Sequence, residues 1–406
     1  MCKVIFIMLL LMAQFANAQF KADNVKYKTV YPEDLCKTLQ ANPGYVILDV
    51  RSQGEFDDTL SSSESLNIGH IKDARHIDIR QLPARWKELS DLKDKPVFIY
   101  CSHSQRSRRA SRLLADSGFT KIFNINGGLT DFYADANHIP SCTEYLITQN
   151  LPYKIVSPAL MVENIKKNAS YVFVDLREDS VFNGTTVSES KRSQGHFDAA
   201  IHIPFSKLND AWSKIPANKA VMLIDEFGNE SPKAARMLTE KGYNDVSLLF
   251  NGMDEWVDYI SNTTDKPVVK WTPGINYHLL NADDFYKMTR DKKEFILIDV
   301  RSKDEFNNSS KNYWQNIGQI KGAINIPYSE LSTNISLPQS KKTPVIVYGF
   351  NSQDDIYSAA KLLKGLHYEN VSLLYGGIWF LRWASHNLKD KAELNELVVN
   401  VPEENQ

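Results

Sequence analysis

The 406-residue chain has no excess of charge of either sign: 47 lysines and arginines stand against 49 aspartates and glutamates, for a formal net charge of −2. Proteins that bind nucleic acid or lie on anionic lipid draw affinity from a basic excess, so neither partner is indicated. Cysteine is scarce, with four in all. That excludes a disulfide scaffold, in which cross-links stand in for a missing core. Past the N-terminus, no apolar run approaches the ~20 residues that a membrane-crossing helix needs. What remains is ordinary globular composition, 43% hydrophobic and 24% charged. At roughly 100–200 residues per domain, the length implies about two to four domains.

Residues 1–18 stand apart. Lys3 supplies a thin positive start, Val4 to Met12 an apolar core, and Ala16-Asn17-Ala18 small residues where a signal peptidase reads. The pattern is that of a secretory signal peptide cut before Gln19, too short in its apolar part to anchor the chain. The expected location is the periplasm or the exterior, with no membrane span after cleavage. In a eukaryotic secretory route, sequons such as those at Asn168 and Asn262 would matter. Removal of the leader takes Cys2 and leaves Cys36, Cys101 and Cys142, so at least one thiol has no partner within the chain. Cys36 and Cys142 could pair, which spacing alone leaves open. Exported proteins rarely keep an exposed free thiol without a use for it.

Internal repetition governs the rest. Ile47-Leu48-Asp49-Val50-Arg51 recurs as Phe173-Val174-Asp175-Leu176-Arg177 and as Leu297-Ile298-Asp299-Val300-Arg301. GHIKDARHIDI from Gly69 recurs as GHFDAAIHIPF from Gly195 and GQIKGAINIPY from Gly318. Apolar runs follow from Pro96, Ala220 and Pro344, and closing motifs start at Asn126, Asn251 and Tyr375. Four ordered landmarks in three copies define three tandem modules, 19–147, 148–270 and 271–396. An acidic tail, 397–406, is expected to fray, and Pro267 to Pro273 reads as a linker. Short, nearly continuous apolar runs (Tyr45 to Val50, Val97 to Tyr100, Lys121 to Ile125) suit strands buried on both faces of a mostly parallel sheet. Helical patterns lie between them, one opened by Pro32-Glu33-Asp34 and one over Ser107 to Ser117 ended by Gly118. Each module is therefore α/β, with helices on both faces of its sheet.

In such sheets ligands bind where strands end and helices begin. In the first module that point reads Cys101-Ser102-His103-Ser104-Gln105-Arg106-Ser107. A Cys at a strand end, four residues, then Arg before a helix makes an anion cradle of loop N–H groups around the sulfur. That field, with Arg106, is expected to lower the thiol pKa. The small residues Ser102 and Ser104 suit a tight loop. With LDVR at Leu48–Arg51, GHI at Gly69–Ile71 and NGG at Asn126–Gly128, the chain resembles the rhodanese (sulfurtransferase) family over its three modules. The resemblance implies three rhodanese-like domains and thiosulfate sulfurtransferase activity. Cys101 would take a sulfane sulfur as a persulfide from a small anionic donor and pass it to cyanide or a thiol. Arg106, Ser102, His103, Ser104, Gln105 and Ser107 would line the donor site, with no cofactor and no resident metal. The six-residue span is one shorter than in related Cys-based phosphatases, which argues against phosphate chemistry. Ser102 and Ser104 replace the Arg and Gly of many members, which puts the preference for thiosulfate in doubt. His103 reads equally as an exposed loop imidazole.

Modules two and three fail the same test. Cys101 becomes Asp225 and Gly349, and Arg106 becomes Glu230 and Asp354. Two carboxylates would repel a sulfur anion. Their alternative, holding a cation, is weakly signalled, and these modules read as structural or partner-binding. Asp49 and Arg51 recur even where the Cys does not, which marks them as structural. His70 has His196 and Gln319 as counterparts. The insertions at Asp57 to Leu66 and Lys191 to Gln194 read as surface loops. Arg108, Arg109 and Arg112 extend Arg106 into a basic cluster, either a steering field for anions or a solvated helix face. A non-catalytic anion-binding scaffold is the main competing function.

Overall fold

A computed structural model describes residues 25–59, 64–134, 142, 146–185, 195–263, 268–333, 336–352 and 354–402. The segment read as a signal peptide, the Lys191–Gln194 insertion and the end of the expected acidic tail lie outside the described residues. The chain divides into two compact units, one made of Asp23–Phe182 and His196–Thr272, which carries modules one and two, and one that includes module three from Pro273.

Each module is built on a five-stranded, wholly parallel sheet. In module one the strands run, in spatial order, Lys28–Val30, Ile122–Ile125, Val97–Tyr100, Val46–Asp49, Arg75–His76. Modules two and three repeat this order with Lys154–Val156 and His278–Leu280 at one edge and Ile201–His202 and Ile324–Asn325 at the other. The strand Val97–Tyr100 is central and buried along its length. Its side chains alternate between two apolar layers. Val97 and Ile99 join Leu48, Ala110 and Leu114 on one face, and Phe98 and Tyr100 join Ile47, Leu35 and Leu39 on the other. Covered on both faces, the sheet leaves only its strand ends open to ligand.

Within the first unit, modules one and two share the second of these layers, which continues through Val174, Leu223 and Leu248 of module two. Tyr133 stacks on Phe250 at 5.3 Å, and Arg236 donates to the Asp58 carbonyl at 3.1 Å. Module three has apolar layers of its own.

The module boundaries move outward from those the repeats imply. Each module closes with a two-residue strand paired antiparallel to its second landmark: Ile147–Thr148 on His70–Ile71, Trp271–Thr272 on His196–Phe197, and Val398–Val399 on Gln319–Ile320. The segment read as a linker thus contributes Trp271–Thr272 to module two. The expected tail begins with buried Leu397 and Val398, which belong to module three. Cys36, on the helix Pro32–Gln40, is disulfide-bonded to Cys142 with their Cα atoms 5.9 Å apart, which settles the open pairing. No helix among the described residues is long and apolar enough to cross a membrane.

Candidate active site

Cys101 follows the central strand directly, is 1% exposed, and among the described residues is the one cysteine outside a disulfide. The chain turns through Ser104, whose φ of +72° is left-handed, and enters the helix Gln105–Asp116. A strap formed by the closing motif holds the loop from behind. Leu129 N–H donates to the Cys101 carbonyl (2.8 Å), and Thr130 donates to the Ser102 carbonyl through N–H (3.1 Å) and Oγ1 (2.6 Å). These two carbonyls are thereby turned to the strap. Gly128 makes this approach possible: at φ +69°, any Cβ would run into the Cys101 and Ser102 carbonyls. The thiol's neighbour on the helix side is Ser107 Oγ, 3.7 Å from Sγ, itself donating to the Ser104 carbonyl.

Arg106 departs from expectation. Its guanidinium is clamped by both oxygens of buried Glu55 at 2.6 Å each and donates to Ser102 Oγ at 2.7 Å. Burial pushes the Glu55 carboxyl up, but the Arg106 and Ser52 donors outweigh it and hold the group below the usual carboxylate range. Arg106 thus fixes the loop to a carboxylate 51 residues upstream rather than standing open as an anion ligand. Sequence reading missed Glu55. Its available signal was the capping box, in which Ser52 and Glu55 satisfy each other at the start of the helix Gln53–Phe56.

The other expected residues divide. Ser102, Ser104 and Ser107 are buried in the loop, while Gln105 is exposed on the first helical turn. His103 is exposed at the rim, 2.9 Å from Ser102 Oγ, and neighbouring protein and the Arg106 charge hold its imidazole below the usual value. The basic cluster splits as well. Arg109 and Arg112 face solvent, whereas buried Arg108 reaches back to Asn126 Oδ1 at 2.8 Å. Asn126 Oδ1 also lies 3.5 Å from Ser104 Oγ.

Comparison of the copies explains the rest. Asp49 takes the Arg51 guanidinium and N–H, and the arrangement recurs in Asp175–Arg177 and Asp299–Arg301, where the nucleophile is absent. Arg51 and Arg301 also donate to the carbonyls of Gly69 and Gly318. These pairs tie the strand end to the second landmark and are structural. Phe56 sandwiched between His70 and His76 recurs as Phe182 between His196 and His202, which makes the His70 ring part of the packing too.

At the position of Cys101, module two carries Asp225, wholly buried in the equivalent cradle. Its carboxylate accepts the backbone N–H groups of Gly228 (2.8 Å), Glu230 (2.7 Å) and Ser231 (2.9 Å). Gly228 has φ +74°, matching Ser104, so the loop path is the same. Burial pushes the Asp225 carboxyl up against these donors. The Asp225 carboxyl is thus engaged by its own loop. In module three, Gly349 has the Ile356 side chain where a Cβ would go, so no cysteine side chain would fit there without a shift.

Residues 32–135, 157–259 and 281–380 each match the family model described as Rhodanese-like domain, and the chain belongs to that family. Among relatives, the uncharacterised protein YqhL of Bacillus subtilis is 38% identical over 105 residues, 24% of this chain and 74% of that protein. The thiosulfate sulfurtransferase GlpE of Stutzerimonas stutzeri is 30% identical over 102 residues, 25% of this chain and 81% of its own. A tRNA uridine(34) hydroxylase of Cytophaga hutchinsonii is 31% identical over 99 residues, but these span only 28% of that enzyme. The solved rhodanese-related protein from Thermoplasma volcanium aligns with 26% of this chain and 92% of its own at 28% identity, with a TM-score of 0.21.

Proposed function

We propose that this protein is an exported sulfurtransferase that carries sulfane sulfur as a persulfide on Cys101. The observation that carries the reading is the Asp225 carboxyl group, whose oxygens accept three loop N–H donors in the sibling cradle. A cradle of the same path around Cys101 suits a thiolate and, one atom further out, the terminal sulfur of a persulfide. With a thiosulfate-like donor, the Cys101 thiolate attacks the outer sulfur. A new S–S bond forms, the donor's own S–S bond breaks, and its electron pair leaves with sulfite. Attack by cyanide or a thiolate on the persulfide's outer sulfur then returns the Cys101 thiolate. The leader pattern and the Cys36–Cys142 disulfide support an oxidising, extracytoplasmic setting. Modules two and three serve as structural or partner-binding modules.

Incubation with thiosulfate followed by intact mass is the direct test. The expected result is one added sulfur, absent in Cys101→Ser and removed by cyanide. A wild-type chain that gains no sulfur from any of several sulfane donors refutes the reading and favours an anion-binding scaffold.

A further inference from the structure

Module one differs from its siblings at a second place beside the loop. After the edge strand Arg75–His76 it reads Asp78-Ile79-Arg80, where module two has Pro204-Phe205-Ser206 and module three Pro327-Tyr328-Ser329. Asp78 is buried and grips Arg80 from below. Its carboxylate takes the Arg80 backbone N–H at 2.9 Å, Nε at 3.0 Å, and Nη2. The Arg80 side chain is nevertheless 77% exposed. Asp78 engages one edge of the guanidinium, leaving both Nη1 protons and one Nη2 proton for a ligand. The result is a guanidinium fixed in direction yet open to solvent.

The Arg80 backbone lies at the same end of the sheet as Cys101. Ile79 N–H bonds the Val50 carbonyl at 3.1 Å, and Val50 N–H bonds the Tyr100 carbonyl, also at 3.1 Å, one residue before Cys101. Arg80 and Cys101 thus leave the same sheet edge two strand spacings apart, roughly 10 Å. An extended arginine side chain and one small oxyanion together close such a gap. Arg80 is also near enough to Arg106 and Glu55 for both charges to act on it. Arg106 is paired with Glu55 and largely out of solvent, whereas Arg80, paired with Asp78 along one edge, turns its other edge to solvent and is the more accessible contact for an anionic donor.

We propose that Arg80 receives the anionic end of the sulfur donor, a sulfonate or similar oxyanion, while the donor's sulfane sulfur meets Cys101. The proposal rests on the reading of Cys101 as a sulfur carrier and assigns the residue that holds the donor's oxyanion. When the donor's S–S bond breaks, the electron pair leaves with sulfite, whose charge is already facing Arg80. Modules two and three have no nucleophile to serve and carry serine at this position.

The test compares wild type, Arg80→Gln and Arg80→Lys in two assays on the full chain. In the first, sulfur loading of Cys101 by thiosulfate is timed by intact mass across donor concentration. Arg80→Gln should raise the half-saturating concentration about fivefold, the scale of one exposed charge contact, with the saturated rate little changed. Arg80→Lys should recover part of that loss. In the second, Cys101 is alkylated with anionic iodoacetate and with neutral iodoacetamide. The iodoacetate-to-iodoacetamide rate ratio should fall in Arg80→Gln by a similar factor while the iodoacetamide rate holds. Identical concentration dependence and identical alkylation ratios in wild type and Arg80→Gln overturn the role of Arg80. A wild type that takes no sulfur from any donor, with the alkylation ratio still dependent on Arg80, overturns the sulfurtransferase reading but leaves an Arg80-guided anion site.

Discussion

At the scale of single residues, the site is governed by what each charge is already paired with. Arg106 and Glu55 form a two-point pair that is largely out of solvent, with Ser102 as a third partner. Because the folded carboxyl is held below its usual value, the stability it adds is complete above the ordinary carboxylate range and is lost as pH falls through the lowered folded value. Glu55→Gln is expected to cost about 2 kcal/mol at neutral pH, between the values for exposed and buried pairs. It should also flatten the acid limb of the stability profile. Urea midpoints between pH 3 and 7 check this, roughly the window in which an ordinary carboxylate and a lowered one titrate. An acid limb as steep in the variant as in wild type rules out Glu55 as its source. The place of Cys101 and its loop between the central strand and the following helix was legible in the sequence, because a buried apolar run ends at the Cys and a helical pattern begins a few residues later. The role of Arg106 was not legible, since the carboxylate that takes it up lies far away in the chain and only the fold brings them together. Asp78 and Arg80 were passed over for a similar reason: an Asp two residues before an Arg is common, and its burial is invisible until the strand beside it is placed.

At the scale of elements, the loop is an object made by three parts: the central strand, the helix after it, and the strap behind it. The strap bonds recur in each copy. Met253 N–H reaches the Asp225 carbonyl at 2.9 Å, and Ile378 N–H the Gly349 carbonyl at 3.1 Å, each beside a glycine of positive φ. Gly128→Ala is therefore expected to cost about 2–4 kcal/mol through strain and collision with two carbonyl oxygens, and to slow sulfur loading of Cys101. Chemical denaturation and timed intact mass measure the two effects; an alanine variant as stable and as fast as wild type refutes the strap. Elements buried on both faces were read well, and Val97–Tyr100 is found as expected. The helix after the loop begins at Gln105 rather than Ser107, because the left-handed turn falls on Ser104, a residue type that does not announce it. The closing strands were missed, since two residues carry no periodicity and are defined only by their partner.

At the scale of the whole molecule, the modules do not stand alike. Modules one and two share an apolar layer, whereas module three buries its own. A chain ending after Thr272 is expected to load sulfur at the full-length rate. A chain ending near Asn150 exposes the shared layer and should unfold at lower urea or aggregate. Side-by-side loading and urea curves of the two truncations decide it, and equal stability of both would refute a common core. The threefold repeat made the architecture readable from sequence, while the packing of modules one and two on each other depends on side chains such as Tyr133 and Phe250 that look like ordinary core residues in each copy. The Cys36–Cys142 bond adds a covalent consequence. It closes a ring that contains four of the five strands of the first sheet and Cys101 itself. A single peptide-bond cut inside that ring would add one water to the mass but release no fragment. After one such cut the two pieces stay joined until the disulfide is reduced or a second bond inside the ring is cut.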